Sequence, residues 1–437
     1  MGRLKGFYLC LLLLLLPGCG ESAGLSPVAV EESGQSTAVL APLGTPLIEL
    51  PTSVPRVSIT ISPENLRALN QSPYRAEDVT GSFSDDTGTL YKGVALNFRG
   101  AYALLQMIKS GPKRNWKVKF SKDQDYLGRR EWNFNYEPKL RQKMAYDLMN
   151  FAGVPAAKPQ HVILSVNGVE HGLYLQFEDP DNEGWLKAHF SDHEGDLYKV
   201  GYDPPDDVHN RRFGDLTYLG PEQSAYIGSY NKKMSRTGVS RDDLTTMLNF
   251  TKQLNSISDD EIPAFFEAQV DLDGLISYLV VTNFIVHWDG YPGRPKNYWI
   301  YENPTTGKWS IVPWDMDAVF EDPWVWHRER GTTSSIFIQF DTQTPYRRFQ
   351  DEGTERPLVR RLMKHQRYRD RYVARYRELT KTILNEAFLI HHMAALTSLI
   401  RNTASASDIA AVDRDNARIA RFIRERSQHV QRELSRQ

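Results

Sequence analysis

The segment DLDGLISYLVVTNFIVHW (271–288) is apolar on almost every side and is followed directly by Asp289. A helix of this kind is normally buried in a protein core. The next segments, NYWIYE and KWSIVPWD, predict a hairpin (297–315) that turns at Asn303-Pro304 and Gly307 and leads into Asp315 and Asp317. Buried carboxylates are costly unless they are paired, hydrogen-bonded or bound to a metal. The chain must therefore build a polar site where these apolar elements end.

Composition sets broad limits on the class of protein. The chain has 437 residues, of which 41% are hydrophobic and 11% are aromatic, enough for a large core with two or three lobes or domains. Its formal net charge of −1 gives no electrostatic reason to expect a nucleic acid as partner.

The N-terminus predicts export. Arg3 and Lys5 precede an apolar run (7–16) that is too short to span a membrane and is typical of a signal peptide. The sequence LPGC ending at Cys19 matches a lipobox, so we expect a signal peptide over 1–18 and a lipid on Cys19. An ordinary signal peptide with a chance cysteine is the alternative. The mature chain would lose Cys10 and could form no intrachain disulfide. We expect an exported lipoprotein of the bacterial envelope, at the outer membrane or cell surface.

Residues 19–55 are rich in Ser, Pro, Gly and Ala and predict a flexible tether. The folded part then begins with alternating polar and apolar residues. This pattern predicts a mainly β-structure with one helix, over 56–61, 91–100, 115–120, 138–153 (the helix) and a hairpin at 161–178 with Asn167-Gly168 as its turn.

The second half predicts helices. They cover 240–256 with a capping box from Ser240 to Asp243, 271–288, 357–400 and 407–434. The prediction is an α+β protein with one domain over 56–437. It has a β-rich N-terminal lobe (about 56–180), a junction near Glu178, and an α-rich C-terminal lobe (about 181–437).

The acidic residues of the hairpin suggest metal chemistry. On a strand, Asp315 and Asp317 would share one face and Met316 would point away. Oxygen ligands suit Mg²⁺, and Asp289 at a helix exit could approach a substrate hydroxyl. A catalytic Asp, a later Asn at 297 and then a metal-binding Asp follow the logic of a kinase C-terminal lobe. The step from Asp289 to Asn297 is longer than in ordinary protein kinases, and no GxGxxG loop is present.

Simpler interpretations stay open at this point. An Asp in a loop is often only a turn or a cap, Lys117 and Lys119 fit a solvated strand face, and His287 fits a buried core histidine. The segment WDMDAV (314–319) also matches the DxDx[TV] signature of haloacid-dehalogenase phosphatases and the DxD of metal-dependent glycosyltransferases. The phosphatase signature normally begins its fold, and the DxD would not account for Asp289 and Asn297.

Several segments together resemble the CotH kinase family of atypical, spore coat protein H-like kinases, over about 56–430. The matching segments are LNFRG (96–100), PKRNWKVKF (112–120), the run from LRQKMAYDL to GLYLQFE (140–178), DLYKV (196–200) and the run from NFIVHWDG to PWDMDAVF (283–320). In combination they are far more specific than any one motif.

The resemblance implies a two-lobe, protein-kinase-like fold and transfer of phosphate from ATP, with Mg²⁺, to serine or threonine of a protein, of which a Ser-rich surface or coat protein is one example. By position, Asp289 would be the catalytic acid. The remaining roles implied by position are metal binding by Asn297 and Asp315 with support from Asp317, phosphate binding by Lys117, Lys119, Lys113 and Arg99, and a place near adenine for Glu178.

One segment departs from the family pattern. Members often carry RGNS or RGNT, whereas this chain has RGAYALLQ (99–106), so Ala101 and Tyr102 replace small polar residues. ATP is also scarce outside the cytoplasm. The second hypothesis is therefore a catalytically weak or inactive kinase-like scaffold, acting as a surface-binding or coat-assembly lipoprotein.

Overall fold

The structure, a computed structural model, describes residues 53–74, 76–100, 102–201, 214–321, 331–337 and 356–437. The predicted signal peptide, Cys19 and nearly all of the predicted tether lie outside these residues. Val54 is already buried, and the carbonyl of Pro55 accepts a hydrogen bond from the amide of Ile163 at 2.8 Å. Residues 54 and 55 therefore already pack against the folded domain, just before its first strand.

Seven strands close into a barrel in the order β1-β2-β3-β4-β5-β7-β6. They are β1 (Arg56–Ile61), β2 (Val79–Ser84), β3 (Leu90–Phe98), β4 (Trp116–Lys119), β5 (Glu131–Tyr136), β6 (Gln160–Val166) and β7 (Val169–Phe177). The parallel pairing of β1 with β6 closes the barrel, and the other pairs are antiparallel. The sequence predicted β1, β3, β4, β6 and β7, but neither β2 and β5 nor the closure of the barrel.

Alternation along β4 decides which side chains fill the barrel. Trp116 and Val118 belong to its apolar interior, while Lys117 and Lys119 lie on its outer face. On β7, Leu175 and Phe177 also face outward and join a second, larger core. The outer face of the barrel therefore supports both apolar packing and a row of cations.

The second sheet has four antiparallel strands in the order β11-β10-β8-β9. They are β8 (Asp196–Val200), β9 (Tyr230–Met234), β10 (Tyr298–Glu302) and β11 (Trp309–Pro313). The hairpin of β10 and β11 confirms the prediction for 297–315, with Tyr298 opposite Pro313. Its turn is closed by the amide of Gly307, which donates to the carbonyl of Asn303 at 2.8 Å. Gly307 has φ +66°, a conformation that favours glycine.

Eleven helices of the described residues surround the sheets. They are α1 (Pro63–Gln71), α2 (Tyr102–Ser110), α3 (Arg141–Phe151), α4 (Glu183–His189), α5 (Thr245–Ser256), α6 (Ile262–Gln269), α7 (Leu272–Phe284), α8 (Pro357–Lys364), α9 (Gln366–Thr382), α10 (Glu386–Arg401) and α11 (Ala406–Leu434). Every residue of α7 except Asp273 is buried, which confirms the predicted central helix. The chain is an α+β protein, with its strands concentrated in the first half and its helices in the second.

Two helix predictions were wrong in detail. The predicted capping box does not start a helix at Ser240, because Ser240 Oγ accepts from the amide of Asp242 and Asp243 accepts from the amide of Thr245. These bonds close turns, and α5 starts at Thr245. The helix predicted over 357–400 is three helices, interrupted at His365, which is extended, and before Asn385, which caps α10.

Within the described residues, no single helix is long and apolar enough to cross a membrane. One bent pair, α9 with α10 at 54°, meets the length and composition criteria only when the two helices are taken together.

Arg141, the first residue of α3, is buried and joins three parts of the chain. Its Nε donates to Asp415 Oδ2 of α11 at 3.1 Å, and Nη2 forms a second bond with the same carboxylate. Its Nη1 donates to the carbonyl of Val319 at 3.3 Å and to Glu321 at 2.5 Å. The segment just beyond Asp317 is thus tied to both helices.

We expect Arg141→Met to lower the free energy of unfolding by about 3–5 kcal/mol, because it leaves the buried carboxylate of Asp415 without its partner. Urea denaturation measures this loss. Arg401→Met is the control, since its ion pair with Asp413 is exposed and should contribute about 1 kcal/mol or less. Equal losses in the two variants would contradict a structural role for the Arg141 pair.

Candidate functional site

The site begins where α7 ends. The chain leaves the helix through Val286, which has φ +54°, an unusual conformation for a β-branched residue. The amide of His287 still bonds to the carbonyl of Thr282 at 2.9 Å, so the exit is tightly folded. Gly293 packs against the main chain of Trp288 so closely that a Cβ would lie 2.0 Å from that carbonyl oxygen. These contacts fix the loop that carries Asp289.

Asp289 is buried and is surrounded by donors from its own loop. Lys296 Nζ lies 2.8 Å from Oδ2, Asn297 Nδ2 donates to Oδ2 at 2.9 Å, and Arg294 Nη1 lies 3.3 Å from Oδ1. The structure therefore brings together Asp289 and Asn297, as the sequence predicted. The three donors hold the carboxylate in one orientation.

Asp315 and Asp317 follow β11 but are not part of it. The strand ends at Pro313, and Asp315 adopts a left-handed conformation with φ +52°. Asp315 and Asp317 are exposed while Met316 is fully buried. The prediction that the two Asp side chains point away from Met316 is therefore correct, but the predicted strand is wrong. A hydrogen bond from the amide of Asp315 to Tyr146 Oη, 3.1 Å long, connects this turn to α3.

Three non-glycine residues at this site have positive φ: Val286, Asn297 and Asp315. Such conformations cost free energy and persist only when the surrounding structure holds them. The carbonyl of Asn297 accepts from the amide of Trp314 at 3.1 Å, which ties two of the three strained segments to each other. Strain concentrated in this way is typical of functional sites.

We refer to Asp289, Asn297, Asp315 and Asp317 as the acidic cluster. Although the Asp315 side chain keeps contact with solvent, the protein around it partly desolvates the carboxylate and raises its pKa; Lys296 opposes this rise, and the charge of Asp289 adds to it. The pKa of Asp317 is raised further, by desolvation and then by Asp315, Glu137 and Asp289. The charges of these carboxylates therefore repel one another, and a bound cation would relieve that repulsion.

The donor set of the acidic cluster fits Mg²⁺. Carboxylate and amide oxygens are the hard ligands that this ion prefers, and it is commonly held by one or two carboxylates together with phosphates. Within the described ranges, no group of three or more His, Cys, Asp or Glu side chains is arranged to hold a metal ion. The ligand types suit Mg²⁺, but the cluster would need further ligands, such as phosphate oxygens, to hold it.

Cations approach the cluster from the outer face of the barrel. Lys117 Nζ lies 3.0 Å from Asp179 Oδ2 and 2.6 Å from Glu131 Oε2. Burial alone would raise the pKa of Asp179, but Lys117, Arg99 and Lys199 outweigh it and hold the pKa below its usual range. Lys117 and Arg99 therefore belong to one charged group beside Asp179.

The other predicted phosphate ligands lie elsewhere or have other contacts. Lys119 pairs with Asp78 at 2.8 Å on the partly exposed side of β4. Lys113 Nζ lies 3.9 Å from the centre of the Tyr136 ring. Arg99 lies 5.1 Å above the Phe177 ring and also bonds to Asn135. Of these three, only Arg99 acts on the charge of the acidic cluster, since it lowers the pKa of Asp315.

Glu178 is buried, and burial raises the pKa of its carboxyl. The charges of Arg129 and Lys158 and a bond to the main chain of Lys158 act against this rise. Glu178 belongs neither to the acidic cluster nor to the charged group around Lys117. Its neighbour Asp179 belongs to the Lys117 group, because successive side chains of an extended chain point to opposite sides.

An aromatic wall links the two charged groups. Trp299 and Trp314 meet edge to face with ring centres 5.6 Å apart, and Trp314 contacts Phe177 of the barrel at 5.6 Å. Lys199 Nζ lies 5.3 Å from the Trp299 ring and 5.5 Å from the Trp314 ring. Burial lowers the pKa of Lys199 while Asp179 opposes that shift. Lys199 forms no ion pair with the residues that the structure describes, so its charge is available to an anion.

Sequence reasoning missed four residues of this site: Glu137, Asp179, Lys199 and Lys296. Lys199 lies within the DLYKV segment and alternates with Tyr198, so its outward direction was readable once that segment was taken as a strand. Lys296 precedes Asn297 in the loop, and Asp179 follows Glu178. Glu137 carried no local signal, because only the folded chain brings it near Asp317.

The chain matches the family described as CotH kinase protein over residues 96–430. This span is most of the sequence, so the chain belongs to that family, as its motifs suggested. It is similar to Inner spore coat protein H of Bacillus subtilis (strain 168), with 25% identity over 398 residues that cover 88% of this chain and 98% of that protein. It is also similar to Invasin CotH2 of Rhizopus delemar, with 22% identity over 218 residues, 48% of this chain and 35% of that protein.

Glu137 predicts a pH dependence of stability. Burial raises its pKa from 4.5 to about 7, with Asp415 and Asp315 acting in the same direction against Lys139 and Arg141. An acid whose pKa is raised by folding stabilises the protein below the unfolded pKa. Glu137 should therefore make the free energy of unfolding fall as the pH rises from about 4.5 to about 7.

Glu137→Gln should flatten this fall when unfolding is measured in urea across that pH range without divalent metal. Glu64→Gln serves as the control, because Glu64 is exposed on α1. An unchanged pH profile in Glu137→Gln would show that folding does not raise the pKa of Glu137.

Proposed function

We propose that this chain is an atypical, ATP- and Mg²⁺-dependent protein kinase that transfers the γ-phosphate to serine or threonine of a protein substrate. The observation that carries the proposal is the position of the acidic cluster beside unneutralised positive charge. Lys199 and Arg99 both lower the pKa of Asp315, and Lys199 forms no ion pair among the described residues. Polyanionic phosphates with a bound cation complement both groups at once.

In this proposal Asp289 is the catalytic residue. The substrate hydroxyl oxygen bonds to the γ-phosphorus, the bond from that phosphorus to the β–γ bridging oxygen breaks, and ADP leaves. Asp289 accepts the hydroxyl proton. Its bonds to Lys296 and Asn297 orient the carboxylate towards the reacting oxygen, and most of the rate enhancement comes from such positioning.

Asp315, with Asn297 and Asp317 in support, would hold Mg²⁺, which when bound neutralises phosphate charge. Lys199 and Arg99 offer positive charge to the phosphates from the opposite side. Lys117 is engaged by Asp179 and Glu131 and would mainly fix the position of that strand. We further propose that the barrel and the α-rich part act as the two lobes of a kinase.

A kinase-like scaffold at the cell surface is the second candidate. The RGAYALLQ departure favours it, because Ala101 and Tyr102 replace the small polar residues seen in the family. In either case we propose an exported lipoprotein anchored through Cys19. The names of its two relatives, a spore coat protein and an invasin, agree with a role at a surface, with a Ser-rich surface or coat protein as the partner.

Asp289→Asn should reduce the transfer of labelled phosphate from ATP by about 100-fold or more, because the amide cannot accept the hydroxyl proton. Affinity for ATP with Mg²⁺ should change by less than about threefold, since Asp289 does not hold the phosphates. Phosphorylation of a serine-rich test protein or of the chain itself is the assay. Asp370→Asn, an exposed change on α9, is the control. Full activity in Asp289→Asn would exclude this residue as the base.

Lys199→Met should weaken ATP binding by about tenfold while leaving adenosine binding unchanged, because only the phosphates meet its ammonium group. Titration calorimetry with each ligand separates these effects. Lys119→Met is the matched control, since Lys119 is a barrel lysine already paired with Asp78. Equal losses for ATP and adenosine would contradict a phosphate contact at Lys199.

A further inference from the structure

The last helix carries a row of arginines that the proposed phosphate chemistry does not use. Arg414, Arg418, Arg421 and Arg432 are all exposed on α11. At 100° per residue they lie within about 40° of a single line along the helix. The row is about 27 Å long, since 18 residues separate its ends. We call these four residues the arginine row.

None of the four arginines of the row forms an ion pair with a carboxylate of the described residues. On α9, by contrast, Arg367 pairs with Glu267 and Arg371 Nη2 lies 2.7 Å from Asp273. The row is thus a line of four positive charges that no carboxylate of the described residues neutralises.

One carboxylate does lie in line with the row. Glu425 is spaced to pair with Arg421, yet its Oε2 accepts a hydrogen bond from Thr332 Oγ1 at 3.2 Å. Like charges three or four residues apart on a helix repel one another. Arg414, Arg418 and Arg421 are spaced in this way, so the folded chain keeps a repulsive arrangement that an external anion would relieve.

We propose that the arginine row is a docking surface for an extended acidic segment of a partner protein. Arg414 and Arg418 are about 6 Å apart along the axis, and Arg418 and Arg421 about 4.5 Å. Alternate side chains on one face of an extended strand are about 6.6 Å apart, so successive carboxylates could reach successive guanidinium groups. Arginine pairs with carboxylate and phosphate groups through two parallel hydrogen bonds.

The surroundings of the row favour a single polypeptide strand over an anionic membrane. Asp413 pairs with Arg401 and Glu386 with Arg424 on or beside α11, so carboxylates flank the row. A flat anionic surface would meet these carboxylates as well as the arginines. A narrow strand can contact the row alone.

Binding of a fluorescent peptide of alternating glutamate and serine to the full chain tests the proposal by anisotropy at low ionic strength. The triple variant Arg414→Gln, Arg418→Gln, Arg421→Gln should weaken binding by about tenfold. The control Arg56→Gln, Arg367→Gln, Arg371→Gln removes the same charge from arginines that are paired and at least partly exposed, and it should stay within about twofold of the natural chain.

Three results would overturn the proposal. The peptide could fail to bind the natural chain, or the two triple variants could weaken its binding equally, which would mean that net charge alone is responsible. The third is binding of phosphatidylserine vesicles that needs the arginine row in a chain that ignores the peptide, which would assign the row to a membrane. None of these outcomes depends on nucleotide binding, so the proposed kinase activity is tested separately.

Discussion

Repulsion between carboxylates at the end of two apolar elements is the constraint around which this protein is arranged. Asp289 lies in the loop that follows the buried helix α7, and Asp315 and Asp317 follow the buried strand β11. Desolvation and mutual repulsion raise the pKa of Asp315 and Asp317, so the folded chain must hold them in place at a cost. The apolar packing around α7 stabilises the fold enough to keep these carboxylates together despite their repulsion.

Helix α3 connects the acidic cluster to the C-terminal helices. Tyr146 accepts a bond from the amide of Asp315, and Arg141 joins the chain beyond Asp317 to Asp415 of α11. Asp147 bonds to His392 of α10 at 2.9 Å. One short helix thus connects the acidic cluster with both long C-terminal helices. A change in any of these contacts would be expected to move Asp315 relative to Asp289.

The sequence was sufficient for the parts of this structure that depend on local pattern. The all-round apolar run predicted α7, and alternation in NWKVKF placed Trp116 inside and Lys117 outside. The spacing of Asp289 and Asn297 suggested a shared site, and these two side chains meet. The family resemblance, which rests on several short segments at once, agrees with the match over residues 96–430.

Features that depend on distant contacts could not be predicted. The barrel closes through parallel pairing of β1 with β6, strands separated by about a hundred residues, and no local signal specifies that register. Glu178 and Asp179 are adjacent, and only the direction of the extended chain decides that Asp179 meets Lys117. The sequence pattern predicted a strand at Asp315. Its left-handed conformation depends on contacts with Tyr146 and Asn297, which are far from it in sequence, so no local signal revealed it.

Thermal melting of the full chain with Mg²⁺, with ATP, and with both, alongside Asp315→Ala, tests whether the acidic cluster holds Mg²⁺ together with a nucleotide. A ligand that binds only the folded state must raise the melting temperature. If the cluster binds the pair, the melting temperature should rise only when both Mg²⁺ and ATP are present, and the rise should be lost in Asp315→Ala. A folded natural chain whose melting temperature is indifferent to the pair would contradict this prediction and would leave the scaffold as the better explanation of this fold.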